Sequence, residues 1–363
     1  MFASDLITDA ASGPLITIAI PTFNRASWLK DCVLSVLSQT YPHFEVVVSD
    51  NASTDETPEI LKQFVDKRLR VKRQETNIGL FPNWNACLAE ARGDYIIFVS
   101  DDDRVEPWLL ERCVSLVCDK QSKINIVLAL SDTFSTKAGR TWPARASRRL
   151  GTGVWDGVKV LSEYLEDQVS VNMCSIMLRT EELRAQGGFR LDLPHTGDVA
   201  ACAALLLKGR AGLVNEVCAT YFTHSKCETA LLGAARCLRD GWSVAAFITD
   251  LANASIDDPR QRRDIQMKSR RCFARRGLIM LYSFRKDGGT LSDVLALLWC
   301  FRGEFSHIGL KPLLELRRHI AFMLCPKFVA DWADRARKLI SDRKHHTTGW
   351  IRNGREERTA GRR

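Results

Sequence analysis

The sequence has no uninterrupted apolar run that approaches the ~18 residues of a membrane-spanning helix. The longest apolar run in its last third is Val294 to Phe301. Residues 1–5 carry neither the basic nor the apolar segment of a secretory signal peptide. Low-complexity tracts and internal repeats are also missing. We therefore expect a cytoplasmic globular protein, whose 363 residues suffice for one large domain and an appendage.

Paired cysteine motifs are a further absence. Twelve cysteines are present, but none forms a CxxC pair or shows the spacing of metal ligands. Several lie inside apolar patterns, namely Cys32, Cys87, Cys174 and Cys202. A disulfide-rich secreted domain is thereby disfavoured, and these cysteines are predicted to be reduced core residues.

The formal net charge of +9 is unevenly distributed. Residues 1–250 carry 27 Lys and Arg against 31 Asp and Glu, whereas residues 251–363 carry 25 against 12. A basic excess at one end of a chain indicates an anionic partner, either membrane phospholipid or nucleic acid. Nucleic acid is the weaker alternative, because aromatic side chains that stack on bases are not interleaved with the basic clusters.

The basic clusters of the last third alternate with apolar runs such as Ile320 to Leu324. Basic amphipathic helices of this kind lie on anionic bilayers, which would place the protein peripherally on the inner face of the cell membrane. The alternative is a helical domain that packs against the rest of the protein and exposes a solvated basic face. The sequence leaves both interpretations open.

Strand-like and helix-like patterns alternate along the first half of the chain. Apolar, β-branched runs predict strands at 15–20, 44–48, 95–99 and 124–130. Apolar spacings of three and four predict helices at 27–38, 57–65, 83–91 and 106–118. Such alternation is typical of an α/β fold with a mostly parallel sheet and helices on both faces.

Beyond residue 228 only helical patterns remain, at 231–252, 265–284, 291–302 and 311–340. We therefore divide the chain into an amino-terminal extension, an α/β domain, a mainly α-helical region and a basic tail expected to be disordered. Their bounds are 1–13, 14–227, 228–342 and 343–363. Residues 136–156, which are basic and carry Trp142 and Trp155, predict a loop or flap within the α/β domain.

Three consecutive carboxylates, Asp101, Asp102 and Asp103, directly follow Ser100 at the end of the predicted strand 95–99. Like charges this close raise one another's pKa, so these groups stay ionised only beside a cation or strong donors. Ligands of α/β sheets bind at the carboxyl ends of strands, so a divalent metal with a phosphate-bearing ligand is the favoured interpretation. The alternative is a solvated acidic turn before the next helix.

Polar residues follow the other predicted strands as well. Pro21 is expected to end the first strand, which leaves Thr22, Phe23 and Arg25 to line a pocket. Asp50 ends the second, where a carboxylate accepts a hydrogen bond from a base N–H or a ribose hydroxyl. An ordinary turn or capping role is the alternative at each of these positions. In the segment that follows the second strand we assign Ser53, Thr54 and Asp55 to such roles and only Asp50 to binding.

Asn77, Asp198 and His224, which lie later in the chain, are further candidate site residues. Asn77 supplies an amide near the same sheet edge, with a turn role as its alternative. Asp198 precedes an apolar helix at 199–207 and is either its N-cap or a general base held at a helix start. His224 is either a third metal ligand or a surface histidine.

The strand ends, in the order PTFNR, SDNASTDET, NIG and SDDD, resemble those of glycosyltransferase family 2, which has the GT-A fold. The resemblance covers residues 14–226 and includes the later GGF, GD and YFTH segments. It implies a GT-A-type α/β sheet, followed by a mainly α-helical C-terminal extension. It is specific for fold and reaction class but carries almost no information about the sugar.

The resemblance also implies roles for individual residues. The nucleotide-binding positions of the family match Pro21, Thr22, Phe23, Arg25, Asp50, Asn77 and Asp101. Asp102 matches the metal contact of the family's DXD-type motif, with Asp103 in support and His224 completing a site for Mg²⁺ or Mn²⁺. Asp198 matches the catalytic base.

Three positions depart from the family pattern. Ser100 stands where the commonest motif has its first acidic residue, and Gly197 stands where many relatives have glutamate. Trp84 stands where the family often has a basic residue. The predicted base is therefore a single carboxylate, and the basic partner of the phosphate is not identified.

The implied function is metal-dependent, inverting transfer of a sugar from a nucleoside-diphosphate sugar, by family habit a UDP-sugar, to a hydroxyl of a glycan or lipid-linked acceptor. Bacterial surface-polysaccharide biosynthesis is the expected setting. One alternative is a sugar-nucleotide nucleotidyltransferase, which would need a Gly-rich basic loop that PTFNRASW lacks. A second is a catalytically inactive nucleotide- or glycan-binding module. The sequence does not indicate the oligomeric state.

Overall fold

The computed structural model describes residues 13–118, 123–224 and 233–324. The chain divides into two compact units, Met1–Phe273 and Ala274–Arg363. Helices that directly follow residue 233 therefore belong to the same unit as the sheet. The predicted domain boundary at residue 227 stays a prediction.

Within the described residues, ten strands of the first unit form one sheet. Six run in parallel: β1 (Ile16–Thr22), β2 (Phe44–Asp50), β3 (Leu69–Arg73), β4 (Tyr95–Phe98), β6 (Ile124–Ser135) and β10 (Arg210–Thr223). Four run antiparallel to them: β5 (Arg104–Val105), β7 (Arg140–Trp142), β8 (Gly153–Asp156) and β9 (Ile176–Arg179). The main order is β3-β2-β1-β4-β9-β6-β10-β5.

The helices of this unit follow the strands in alternation, as predicted. They are α1 (Ala26–Leu37), α2 (Thr57–Leu61), α3 (Leu80–Glu90), α4 (Leu109–Val117), α5 (Gly157–Leu165), α6 (Thr180–Ala185), α7 (Gly197–Leu207) and α8 (Ala234–Ser255). A longer helix, α9 (Pro259–Lys286), runs across the boundary between the units. The second unit contains α10 (Leu291–Cys300), α11 (Arg302–Phe305), α12 (Leu310–Glu315) and α13 (Arg317–Leu324).

Two apolar layers cover the two faces of the sheet. Successive residues of β4 alternate between them, because side chains of a strand point to opposite faces. Ile96 and Phe98 pack in one layer with side chains of α3, α5, α7 and α8, and Ile97 packs in the other with α1 and α4. The prediction of an α/β sheet with helices on both faces is confirmed.

The carboxyl ends of β1, β2 and β4 meet at one edge of the sheet, because the three strands are adjacent and parallel. β1 continues through Pro21 to Thr22, so the prediction that Pro21 ends the strand is wrong by two residues. The backbone polar groups of Ala19 and Pro21 point toward β4, and the pairing of β4 with β1 ends at Ala19. Because Pro21 lies beyond that point, the sheet needs no hydrogen bond from its nitrogen.

Two strands differ from expectation. The apolar residues at 171–178, whose pattern is typical of one strand, include a single turn at Met173–Ser175, and only β9 is extended. The long strand β10 was not anticipated, because Gly212, Asn215 and Glu216 interrupt its apolar pattern. Register shifts between Val214 and Ala219 accommodate that interruption as a bulge.

The second unit is helical over its described residues, as expected. The predicted helix at 311–340 is represented by α12 and α13, and its remainder lies outside the described residues. The predicted tail at 343–363 and all but residue 13 of the predicted extension also lie outside them. None of the described helices is long and apolar enough to cross a bilayer.

Candidate active site

The acidic turn, residues Ser100 to Asp103, leaves the sheet directly after β4. The backbone N–H of Asp103 donates to the carbonyl oxygen of Ser100 at 2.9 Å, which closes the turn. All three aspartates are buried, with exposed fractions of 7%, 7% and 2% in chain order. The alternative of a freely solvated acidic turn is therefore wrong, and the three carboxylates share a confined space.

Asp101 lies against the end of β1. Its Oδ2 accepts a hydrogen bond from the backbone N–H of Phe23 at 3.4 Å, and its Oδ1 lies 3.8 Å from Nε of Arg25. Burial, followed by the charge of Asp102, raises the pKa of Asp101 to about 7, although Thr22, Arg25 and Phe23 act in the opposite direction. A cation in this space would favour the ionised carboxylate.

Asp102 and His224 meet across the site. Nε2 of His224 lies 2.8 Å from Oδ2 of Asp102, although 122 residues separate them in the chain. The imidazole stacks on the indole of Trp28 from α1, with ring centroids 5.0 Å apart and an interplanar angle of 9°. The structure therefore brings together two of the three predicted metal ligands and fixes the plane of the histidine ring.

Asp103 faces the end of β10. Its Oδ1 accepts a hydrogen bond from the backbone N–H of Phe222 at 2.9 Å, two residues before His224. Burial, with a further effect of the Asp102 charge, raises the pKa of Asp103 well above its usual range. Arg104 donates to the carbonyl oxygen of Asp103 at 2.8 Å. Asp103 thus ties the acidic turn to the strand that leads to His224, and its supporting role in metal binding stays a prediction.

The donors at this position fit a divalent metal. Two cis ligands of an octahedral ion at ~2.1 Å would lie about 3 Å apart, close to the separation of the Asp102 oxygen and the His224 nitrogen. Carboxylate oxygen suits Mg²⁺ and Mn²⁺, and imidazole suits transition metals. Across the described ranges, no group of three or more His, Cys, Asp or Glu side chains is arranged to hold a metal ion. A bound ion would therefore need ligands from water or from the diphosphate of a nucleotide.

Two loops at this edge are tied to each other by hydrogen bonds of Asn24 and of three residues predicted to have turn or capping roles. The backbone N–H of Asn24, at a positive φ of 53°, donates to Oγ of Ser53 at 2.9 Å. The N–H of Thr54 donates to Oδ1 of Asn24 at 2.7 Å, and that of Ala26 donates to Oδ2 of Asp55 at 3.0 Å. These bonds fix the segment that carries Phe23 and Arg25, and they confirm that Ser53, Thr54 and Asp55 have bracing roles.

Asp50 lies at the end of β2, opposite Thr22 in the register of the sheet. Its Oδ1 accepts a hydrogen bond from the N–H of Ser53 at 2.9 Å, and its Oδ2 pairs with the guanidinium of Arg73. Sequence reasoning did not identify Arg73, because nothing local indicates that the end of β3 reaches Asp50. The half-exposed guanidinium adds a positive charge to this edge.

Asn77 lies in the turn before α3. Its Oδ1 accepts hydrogen bonds from Nδ2 of Asn51 and from the N–H of Gly79, both at 2.9 Å. Gly79 has a φ of +92°, which glycine adopts without strain. Asn77 therefore shapes the turn, and its contact with a nucleotide stays a prediction.

The surroundings of Trp84 explain why this chain lacks the basic residue that the family often has at this position. Its indole is buried, stacks on Phe98 at 5.1 Å and meets Phe189 edge-on at 5.1 Å. Asn85 beside it holds the backbone of Phe189 from both sides, accepting from its N–H at 2.8 Å and donating to its carbonyl oxygen at 3.0 Å. This position is part of the core and carries no charge, whereas Arg25 and Arg104 are cations that contact the acidic turn.

Asp198 is the second residue of α7, whose N-cap position is Thr196. The alternative that Asp198 is the N-cap is therefore wrong. Its Oδ1 accepts from the N–H of Val199 at 2.8 Å, within the first turn, where the helix dipole stabilises a carboxylate. Two residues join α7 to β10, so α7 runs back along the sheet with its amino end toward the edge where β10 reaches His224.

The surroundings of Gly197 explain why this chain lacks the glutamate that many relatives have at this position. A Cβ atom there would lie 2.8 Å from the ring of Phe81 and 3.0 Å from the carbonyl oxygen of Arg190. Phe81 is itself stacked on Phe189 and buried. A glutamate at residue 197 would therefore collide with the aromatic core, which leaves Asp198 as the carboxylate at this helix start.

We expect Gly197→Ala to destabilise the protein by about 1–3 kcal/mol, because the added methyl group must displace a packed ring or a backbone carbonyl. Urea unfolding should show a lower midpoint with an unchanged slope. Gly151→Ala is the matched control, since no atom lies within 4 Å of a Cβ built at Gly151. Equal stability of the Gly197→Ala and Gly151→Ala proteins would contradict the packing argument.

Comparisons with known proteins agree with this geometry. Residues 17–180 match the profile described as Glycosyl transferase family 2. A Bacillus subtilis (strain 168) protein named as the teichuronic acid biosynthesis glycosyltransferase TuaG is 34% identical over 109 residues. That alignment covers 30% of this chain and 43% of the relative, so the chain spans less than half of that protein's length.

Solved structures extend the likeness beyond the matched segment. S. aureus TarS 1-349 in complex with UDP-GlcNAc superposes with a TM-score of 0.61 and 17% identity, over 81% of this chain and 89% of that one. The mannosyltransferase PcManGT from Pyrobaculum calidifontis, in complex with GDP-Man and Mn2+, gives a TM-score of 0.51 and 18% identity, over 91% and 90%. At these identities the likeness shows the fold. Residues 17–180 therefore match glycosyltransferase family 2, and the chain has the GT-A fold of these glycosyltransferases.

Proposed function

We propose that this chain transfers a sugar from a UDP-sugar to a hydroxyl of a glycan or lipid-linked acceptor, with inversion at the anomeric carbon and with help from Mg²⁺ or Mn²⁺. The observation that carries the proposal is the meeting of Asp102 and His224 at 2.8 Å beside the buried Asp101. The name of TuaG supports a setting in bacterial surface-polysaccharide biosynthesis, and the UDP-GlcNAc bound to TarS supports a UDP-sugar as the donor.

The nucleotide would lie across the ends of β1 and β2. Thr22 and Asp50 are neighbours in the sheet register, and Arg73 pairs with Asp50. The carboxylate and guanidinium can exchange that pairing for hydrogen bonds to a base or ribose. Arg25, held by its contact with Asp101, supplies positive charge near the predicted diphosphate position.

Asp102 and His224 would hold the divalent ion, and Asp103 would keep the strand end of His224 in place through Phe222. Such an ion supplies charge neutralisation for a departing nucleoside diphosphate. The chain's own residues set the position of the donor, and the buried floor of the turn limits access of water.

Asp198 would act as the general base. Its carboxylate lies in the first turn of α7, at the amino end of the helix. It would take the proton of an acceptor hydroxyl as that oxygen attacks the anomeric carbon opposite the diphosphate. Displacement from the opposite face inverts the configuration, so an α-linked donor gives a β-linked product.

Membrane attachment is proposed for the second unit. α10 is almost wholly apolar, yet Val294 is its only buried residue among those described. Leu295 and Trp299 are 49% and 69% exposed, and the Arg302 guanidinium lies 4.5 Å from the centroid of the Trp299 ring. An exposed apolar helix flanked by basic side chains is typical of a segment that lies in the bilayer interface, and this location would suit a lipid-linked acceptor.

Replacing Leu295 and Trp299 by serine should lower binding to vesicles that contain about one-third anionic lipid by about tenfold or more. Sedimentation with vesicles measures the effect. The control replaces Leu34 and Val65 of the first unit, which are 51% and 98% exposed, by serine. Full retention of vesicle binding by the Leu295/Trp299 variant would contradict attachment through α10.

The proposed reaction is tested by incubating the protein with a panel of nucleotide-sugars, Mn²⁺ and a mixture of candidate acceptors. Release of the nucleoside diphosphate reports turnover, and NMR of the product reports the anomeric configuration. We expect turnover with one UDP-sugar and inversion at its anomeric carbon. Retention of configuration would contradict the role assigned to Asp198, and turnover with a sugar phosphate and a nucleoside triphosphate would favour a nucleotidyltransferase.

A further inference from the structure

An exposed basic hairpin stands at the same sheet edge as the acidic turn. We define it as residues 136–149, which continue from β6 through a turn at 136–139 into β7 and the segment after it. Gly139 closes the turn at a φ of +59°, as hairpin loops of this length require. The segment contains no aspartate or glutamate.

The charged and aromatic side chains of the basic hairpin that face solvent are Lys137, Arg140, Trp142, Arg145, Arg148 and Arg149. The indole of Trp142 is 40% exposed, and the guanidinium of Arg140 lies 4.9 Å from the centroid of its ring. The charge of Arg149 is already neutralised, because its guanidinium pairs with Glu163 and Glu166. Besides Arg149, the hairpin therefore presents four cationic groups, those of Lys137 and three arginines, together with one aromatic face.

The backbone below these arginines is fixed by buried or partly buried polar groups. The N–H of Ala144 donates to Oδ1 of Asp132 at 2.7 Å, and the N–H of Arg145 donates to Oγ of Ser170 at 3.0 Å. The N–H of Ser147 donates to Oδ1 of Asn215 at 3.0 Å. A segment anchored at three points loses little conformational entropy when its side chains bind a ligand.

The sheet register places the basic hairpin beside the candidate metal ligands. Arg140 pairs with Ser135, and Ser135 pairs with Thr223, the residue before His224. Two strand spacings of ~4.8 Å separate Arg140 from Thr223, so the arginine lies about 10 Å from the strand end that carries His224. One or two sugar units span that distance.

We propose that the basic hairpin binds the acceptor, and that the acceptor is an anionic glycan carrying phosphate or carboxylate groups along its chain. Three arginines suit repeated anions, and the face of Trp142 suits the apolar face of a sugar ring between them. Nucleic acid fits less well, because a single exposed aromatic side chain offers no series of stacking platforms. The inference rests on the proposed function, since it names the acceptor class for the same site.

The test measures binding of two anionic polymers, poly(glycerol phosphate) and a hyaluronan oligosaccharide, with dextran of similar length as the neutral probe. The variant combines Arg140→Gln, Arg145→Gln and Arg148→Gln in the full chain. The control combines Lys67→Gln, Lys208→Gln and Arg210→Gln, which remove the same charge from exposed positions near the opposite edge of the sheet. Trp142→Ala is measured separately.

We expect the unaltered protein to bind at least one anionic polymer and not dextran, with affinity that falls as salt rises. The hairpin variant should bind about tenfold more weakly, and the control variant should bind as the unaltered protein does. The polymer that responds identifies phosphate or carboxylate as the recognised group. Trp142→Ala should weaken binding at high salt as well, because its contact is not ionic.

Three outcomes would overturn the inference: no binding of either polymer, equal losses in the hairpin and control variants, or equally tight binding of a single-stranded oligonucleotide that the hairpin variant also loses. Stabilisation by UDP with Mn²⁺, measured on the same preparations, keeps the two proposals apart. If UDP with Mn²⁺ does not stabilise the unaltered protein, the proposed function is contradicted. If UDP with Mn²⁺ stabilises the protein but neither polymer binds, only the acceptor assignment is contradicted.

Discussion

Replacing Asp198 by asparagine is expected to lower kcat for sugar transfer by about 10²–10⁴-fold, the usual contribution of a general base. Asparagine keeps the shape of the side chain and can still accept from the N–H of Val199, so α7 should begin as before. It cannot accept a proton from the acceptor hydroxyl. KM for the nucleotide-sugar should therefore change by no more than about twofold, because only a transition-state interaction is removed.

Asp192→Asn is the matched control, since this carboxylate lies in the segment before α7 and pairs at the surface with Arg190. Its kcat should equal that of the unaltered protein. Steady-state kinetics with the donor found in the panel, together with isothermal titration of UDP, separates turnover from binding. Unchanged turnover of the Asp198→Asn protein would exclude Asp198 as the base. A parallel loss of UDP affinity would assign Asp198 to donor binding.

Replacing Asp102 by asparagine is expected to remove the dependence of UDP binding on Mn²⁺ and to lower kcat/KM by about 10³-fold. The amide oxygen is a much weaker ligand than a carboxylate, and His224 alone offers a single donor. Added chelator should lower the activity of the unaltered protein by a similar factor. Excess Mn²⁺ should restore that activity but not the activity of the variant.

Asp103→Asn is the informative comparison, because Asp103 contacts the backbone of Phe222, whereas Asp102 contacts the side chain of His224. Its amide oxygen can still accept from the N–H of Phe222, which keeps the end of β10 and His224 in place. Mn²⁺-dependent binding of UDP should persist in this variant. Loss of metal dependence in both variants would make Asp103 a ligand in its own right, and persistence in both would remove the acidic turn from metal binding.

Much of the fold follows from patterns that are local in sequence. The β-branched runs at 44–48 and 95–99 coincide with β2 and β4, because buried strands need such side chains whatever their neighbours are. The three aspartates follow β4 and lie together because the strand delivers them to the sheet edge. Alternation of strands and helices then implies the parallel order.

What the sequence did not reveal depends on contacts between distant segments. Arg73 reaches Asp50 only because β3 pairs with β2 in one register. Trp84 is a core residue because Phe98 and Phe189 surround it. The bulged strand β10 has no regular alternation, since its two ends pair with different partners.

The central claim is that the ends of β1, β2 and β4 form a metal-assisted site for a nucleoside diphosphate. Thermal unfolding with UDP, GDP and their sugar derivatives, each with and without Mn²⁺, tests it most directly. We predict that a uridine nucleotide with Mn²⁺ raises Tm by about 5 °C at 100 times its Kd, and by much less without the metal. An unchanged Tm with every nucleotide, in the presence of Mn²⁺, would contradict the claim.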